Sequence, residues 1–292
     1  LAAVGKDWVD YEAWLTSHGV VTSHVWVSET LHTAQFMVTT DTELNQIASF
    51  FPGAMSEARN IELGLVMEKT GVFDLVVISP DDPEAMLRHT QTCREERIPF
   101  AADPSQQMAR MSGDEIKKLI DGATYLFMNE YELALAIQKT GWSDAEILER
   151  VETRVITLGS AGAKVERRGN SEVRVGVPKE KAKVDPTGVG DSFRSGFIAG
   201  VAWGLNDERC AQLGSMIATY VIETKGTQEY RFTRSEFVSR FAESYGKSAA
   251  SEIEKHIPML EGYLRRNLSH HTLGPLKAWY GEHMPDLFGS AD

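Results

Sequence analysis

Between Asp74 and Leu158 the chain alternates short, almost wholly apolar runs with longer helical stretches, and this rhythm limits the fold more than any other feature. Asp74-Leu-Val-Val-Ile-Ser79 is followed by a helical stretch over 81–96, and Pro99-Phe-Ala-Ala-Asp103 by another helix. Thr124-Tyr-Leu-Phe-Met128 repeats the pattern, and Thr153-Arg-Val-Ile-Thr-Leu158 is a further strand. Strands that alternate with helices run parallel, and a strand apolar on both faces needs a layer on each side. The expectation is an α/β fold with a central, mostly parallel sheet flanked by helices, binding its ligand at the carboxyl ends of the strands.

The flanking segments read differently. Trp8, Tyr11, Trp14 and Leu15 recur at helical spacing over 7–18, with Gly19 as a stop, which predicts an amphipathic helix. Residues 24–40 are rich in Val, Thr and aromatics and partly alternate over 33–38, as a half-exposed strand of a small sheet would. Segment 162–176 reads as a hairpin turning at Arg168-Gly169-Asn170, and the chain after Asp191 is mostly helical to about Tyr245. From Ile257 onward Pro258, Pro275 and Pro285 interrupt short apolar stretches, so 257–292 reads as an appendage of unknown role.

A formal charge of -12 argues against a nucleic-acid binder, whose affinity comes from clustered Lys and Arg, and leaves a small molecule as the expected partner. Cys93 and Cys210 stand far apart without metal or disulfide spacing, so a reducing cytoplasm is the expected compartment. His270, His271 and His283 also lack metal-site spacing. No apolar run approaches the ~20 residues of a membrane span, so neither a membrane nor a nucleic acid is expected as a partner.

The strongest chemical signal is Asp185-Pro-Thr-Gly-Val-Gly-Asp191, running directly into Ser192-Phe-Arg-Ser-Gly-Phe. Two glycines leave backbone N–H groups free to crowd an anion, and the helix that comes next adds the positive end of its dipole. A carboxylate in that position would repel a phosphate, so Asp191 makes chemical sense as the group that takes a proton from a hydroxyl attacking the phosphate. The plain alternative is a tight turn with Asp191 as a helix cap.

This loop resembles the second signature of the PfkB family, the ribokinase-like carbohydrate and nucleoside kinases, whose pattern is Asp-Thr-x-Gly-x-Gly-Asp; Pro186 here stands where Thr is usual. The resemblance implies a ribokinase-like fold with a small β lid, here around 20–52 of a kinase core spanning 1–256. It also implies ATP and Mg2+ as cofactors, Gly188, Val189 and Gly190 as the anion hole, and Asp191 as catalytic base. Asn129-Glu-Tyr-Glu132 resembles the family's Asn-x-x-Glu element, which implies a nucleotide role for Asn129 and Glu132, with Glu132 meeting Mg2+ through water. Read alone, it is an ordinary polar helix start. Thr157, Gly159 and Gly162 resemble the family's segment at the nucleotide site, although any strand-to-hairpin turn would look similar. Asp185 and the carbonyl of Thr187 match the family's monovalent-cation site, with K+ as the ion; the plain reading is a carboxylate ending a strand.

Across nearly all of 1–255 the resemblance extends to bacterial adenosine kinases of the actinobacterial type, through 29–36, 46–57, 102–107 and 226–229. It implies adenosine as the acceptor, with Phe36 and Phe50 stacking on the purine and Gln106 and Gln107 bonding its polar edges. Without the family, such aromatics read as core and such a Gln pair as a helix start. Ribose, fructose or another nucleoside is the alternative acceptor, and a non-catalytic nucleotide-binding fragment the alternative class. The fragment reading comes from the start: family members open with a strand carrying a ribose-gripping Asp and a Gly-Gly hinge, whereas Leu1-Ala-Ala-Val-Gly matches a segment located after both. The expectation is therefore a fold incomplete at its N-terminus, with an exposed sheet edge through which a homodimer is allowed.

Overall fold

The structure is a computed structural model that describes residues 1–257 apart from 42 and 44. The appendage from 258 on, with His270, His271 and His283, lies outside the described residues. In chain order the elements are β1 (Ala3–Val4), α1 (Val9–Ser17), β2 (Trp26–Val27), β3 (Gln35–Thr40), β4 (Gln46–Phe51), α2 (Leu63–Thr70) and β5 (Val76–Ile78). They continue as α3 (Pro83–Glu95), β6 (Phe100–Ala102), α4 (Gly113–Ile120), β7 (Tyr125–Asn129), α5 (Glu130–Thr140), α6 (Asp144–Glu149), β8 (Thr153–Thr157), β9 (Ala163–Arg167) and β10 (Val173–Val175). The helices α7 (Val189–Ala202), α8 (Asp207–Ile222), α9 (Arg234–Tyr245) and α10 (Lys247–Glu254) complete the order. Two compact units emerge among the described residues, one of 1–8 with 24–233 and one of 9–23 with 234–257.

In the larger unit six strands form one sheet in the order β10-β9-β8-β7-β6-β5. The four strands read from the alternating pattern, β5 to β8, are mutually parallel, and the hairpin β9–β10 extends the sheet antiparallel to β8. Phe100, Ala101, Leu126, Val155 and Ile156 are all buried, which is why these runs are continuously apolar rather than alternating. The helices start where the sequence supplies caps. Asp82 accepts from the Ala85 amide with Pro83 in the first turn, while Ser112 with Glu115 and Ser143 with Glu146 form reciprocal capping boxes. Arg154, fully buried on β8, ties the end of the sheet together by bonding both carboxylate oxygens of Asp144 and Oε2 of Glu166.

Two short sheets stand apart from the large one. β1 pairs parallel with β2, and β3 with β4 forms an antiparallel ribbon in register from Gln35 opposite Phe51 to Thr40 opposite Gln46. The half-exposed strand expected over 33–38 is β3 over Gln35–Thr40, exposed on both faces with Val38 alone half-buried, because only its hairpin partner pairs with it.

In the smaller unit α9 buries Phe237 and Phe241, and α10 buries Ala249, Ala250 and Ile253. The amphipathic helix expected over 7–18 needs correction. It begins at Val9 and buries none of its residues, and the buried aromatic, Trp8, belongs to the preceding 3-10 turn. The helical spacing serves contacts along the helix surface instead: Tyr11 stacks on Trp14 at 5.7 Å and Trp14 lies 4.2 Å from the His18 ring.

Candidate active site

The loop before α7 is built by Asp185. Its Oδ1 accepts from the Thr187 amide at 2.9 Å and its Oδ2 from the Gly226 amide at 3.2 Å. These bonds, the Thr187 amide foremost, hold its carboxyl below the usual carboxylate range. Gly188 then turns the chain at φ 79°, a left-handed conformation that suits glycine, and caps the helix. The amides of Val189, Gly190 and Asp191 therefore fall in the first turn, ahead of the helix's own hydrogen-bond ladder. Gly190 is different from Gly188: a Cβ built there meets nothing within 4 Å, and the residue lines a cavity of about 460 Å³. No contact inside the protein demands glycine at that position, whereas an anion approaching the amides would.

Asp191 opens into this cavity, and the protein around it desolvates its carboxyl and raises its pKa. Its Oδ1 accepts from Nη2 of Arg194 at 3.0 Å, and Arg194 also ion-pairs with Asp103. Burial lowers Arg194 to about 10, so it remains a cation at neutral pH.

The carboxyl ends of the parallel strands supply the facing wall. Gln106 lies just after β6, Asn129 ends β7, Glu132 lies in the first turn of α5 and Thr157 ends β8; all line the cavity with Gly188, Gly190 and Asp191. Asn129 and Glu132 form a reciprocal capping box, each side chain accepting from the other's amide at 2.8 Å. The polar helix start is thus present in fact, and Glu132 keeps Oε1, which accepts from Ser105 at 3.2 Å, as a hard oxygen donor at the cavity.

Other expected site residues lie off the cavity wall. Gln107 is buried and donates to the Asp81 carbonyl at 2.9 Å. Gly162, at φ 95°, lets the hairpin close against the backbone of Val175, and Gly159 turns the chain at φ 56°. Phe36 and Phe50 are directly opposed in the β3–β4 ribbon and largely exposed. The ribbon nonetheless reaches the loop before α7, since Nε2 of Gln46 donates to Oγ1 of Thr187 at 2.9 Å.

The sequence reading missed Asp103 and Arg194. Their signals were available: an acid at the carboxyl end of a core strand, and an Arg one turn after Asp191 in an otherwise uncharged helix.

Residues 1–233 match the profile described as pfkB family carbohydrate kinase. The chain belongs to this family. Within it, a nucleoside kinase of Methanocaldococcus jannaschii is 29% identical over 242 residues, covering 82% of this chain and 78% of that one. The structure of the Burkholderia thailandensis nucleoside kinase in complex with inosine superposes with a TM-score of 0.80 at 32% identity, over 84% of this chain and 81% of the other. The same enzyme in complex with ADP-inosine gives 0.79 at 32%, over 84% and 76%. A ribokinase of Bacillus subtilis is 30% identical over 172 residues, 58% of this chain and 56% of that one. As a pfkB family member the chain is an ATP-dependent carbohydrate or nucleoside kinase of ribokinase fold. Among the described residues no helix is long and apolar enough to cross a membrane, and no group of three or more His, Cys, Asp or Glu side chains is placed to hold a metal ion.

Proposed function

We propose that the chain transfers the γ-phosphate of ATP to the 5′-hydroxyl of adenosine, giving ADP and AMP, with Asp191 as the base. The observation that carries this reading is the meeting of Asp191, the first-turn amides of α7 and the strand-end residues in one cavity. Asp191 takes the proton as the acceptor oxygen bonds to the γ-phosphorus, and the bond to the β,γ-bridging oxygen breaks with its electron pair leaving on ADP. The amides of Val189 and Gly190, with the backbone turned by Gly188, stabilise the charge on the transferring group. Mg2+ supplies charge neutralisation of the phosphates when bound, and Glu132 is the residue we assign to it, through water. Asn129, Thr157, Gly159 and Gly162 form the nucleotide side of the site in this reading. K+ beside the loop is assigned to Asp185 and the Thr187 carbonyl.

The nucleoside class is favoured over sugars by the nucleoside kinases from two organisms that resemble the chain over more than four-fifths of its length. Adenosine is the finer step. Phe36 and Phe50, paired across an exposed ribbon that Gln46 ties to the loop, offer aromatic faces for a purine, with Gln106, which lines the cavity, assigned to its edge; Gln107, buried against the Asp81 carbonyl, is not available for that role. The ribokinase resemblance favours a second reading, a sugar acceptor with the same loop chemistry. We also assign residues 1–256 to the kinase core, with the lid around 20–52 and the remainder as an appendage, and propose a homodimer through an exposed strand edge.

Asp191→Asn tests the mechanism. Turnover should fall by about 10²–10⁴-fold while ATP still binds, because the loop amides are untouched. Unchanged turnover would remove Asp191 as the base.

A further inference from the structure

Arg194 joins two carboxylates of unequal exposure. Its own side chain is 13% exposed and that of Asp103 11%, whereas the side chain of Asp191 is 73% exposed, open to the cavity. A buried cation is costly unless paired, so the ion pair with Asp103 determines where the guanidinium sits. Asp103 is itself fixed at the carboxyl end of β6, its amide donating to the Ile78 carbonyl at 2.9 Å. The guanidinium then reaches Oδ1 of Asp191, one helical turn back along α7.

We infer that Arg194, clamped by Asp103, is a positioning residue for Asp191: it binds Oδ1, leaves Oδ2 to receive the acceptor's proton, and keeps the carboxylate ionised. The inference rests on the reading of Asp191 as the base. Its electrostatic side comes from the groups around Asp191. Asp103 lines the cavity from the end of β6 and Glu132 from the first turn of α5, while Asp185 stands on the loop before α7, bonded to the amides of Thr187 and Gly226. Lys225 lowers the pKa of Asp185 by its charge. Asp103 and Glu132 share this cavity with Asp191, and a neighbouring carboxylate favours the protonated form, which a cation in contact opposes. Arg194 supplies that cation on the same helix as the base, so its register with Asp191 is set by the i to i+3 spacing.

The test uses the full chain and does not depend on turnover alone. The pH titration of the Asp191 side-chain carboxyl, tracked by carbon-detected NMR, is compared in the parent, Arg194→Gln and Arg194→Lys, alongside the pH profile of kcat for ADP formation. Arg194→Gln should move the Asp191 midpoint up by about one pH unit or more, and Arg194→Lys should recover most of that shift. The acid limb of kcat should move with it, an approximately tenfold loss well below the parent midpoint with little change in KM for ATP. If Arg194→Gln fails to fold, the double variant Asp103→Asn with Arg194→Gln leaves neither buried charge unpaired and should show a smaller upward shift of the same sign. An unmoved midpoint in the folded variants overturns the inference. So does a raised KM for ATP with an unchanged pH profile, which would make Arg194 a phosphate ligand instead. Activity retained in Asp191→Asn would sink the base reading separately, because the NMR midpoint reports the Arg194–Asp191 coupling whether or not Asp191 is the base.

Discussion

Replacing Gly190 by Ala separates the demands of the fold from those of the ligand. A Cβ at Gly190 meets no atom within 4 Å, so the methyl causes no clash, and alanine's helix preference adds up to about 0.5–1 kcal/mol of stability. The same methyl projects into the space from which a phosphate would approach the first-turn amides. Losing one such donor contact costs roughly 10²–10³ in kcat, or about 3–4 kcal/mol. Two control substitutions fix the scale. At Gly64 in α2 a Cβ also meets nothing, so Gly64→Ala should stabilise by about 0.5–1 kcal/mol and leave activity alone. At Gly196 a Cβ would lie 2.8 Å from Gly214 Cα and 2.9 Å from the Leu213 carbonyl, both backbone atoms of α8 that cannot swing away. Gly196→Ala should therefore destabilise by roughly 1–3 kcal/mol. Urea unfolding and ADP formation with Mg·ATP are measured on all three. A fully active Gly190→Ala, or one destabilised like Gly196→Ala, would refute the view that glycine is there for an anion.

Burial raises Asp81 from 3.8 to about 6. The folded state therefore holds this proton where the unfolded chain has released it, and stability from this group is lost as pH rises from about 4 to about 6. Asp81→Asn should match the parent near pH 4 and exceed it by roughly 2–3 kcal/mol in urea melts at pH 7, since an Asn oxygen can still accept from the Asp82 amide. Arg154→Ala leaves Glu166 and Asp144 without their shared cation and should cost about 3–5 kcal/mol by denaturant titration, with Arg154→Met less damaging. Gln46→Ala removes the contact between the ribbon and Thr187; KM for the acceptor should rise with the melting temperature unchanged, and an unchanged KM would mean that the contact is incidental.

The parallel sheet was legible because its strands are apolar on both faces and its helices carry their own caps: Asp82 and Pro83, Ser112 and Glu115, Asn129 and Glu132. The turn at Gly188 leading into α7 was legible because its geometry is local, a glycine meeting a helix start. Features that depend on distant neighbours could not be resolved from sequence. Asn129 and Glu132 read equally as cap and as ligand, and the structure has them capping at the cavity wall. Gln106 and Gln107 are adjacent in the chain, but one faces the cavity and the other is buried against the Asp81 carbonyl, a division set by tertiary packing. The pairing of Asp103 with Arg194 spans the sheet and α7, so no spacing announces it. The spacing of Trp8, Tyr11 and Trp14 misled because Trp8 is buried in the turn before the helix, while Tyr11, Trp14 and His18 make a ladder of rings with the period of a buried stripe.

The central claim, phosphoryl transfer to a nucleoside, is tested most directly by incubating the chain with Mg·ATP and, separately, adenosine, inosine, ribose, fructose or no acceptor, and measuring ADP. The account predicts ADP with adenosine well above the other acceptors and the no-acceptor control, with AMP in equal amount. ADP with ribose or fructose but neither nucleoside, or none with any acceptor while ATP binds, would contradict it.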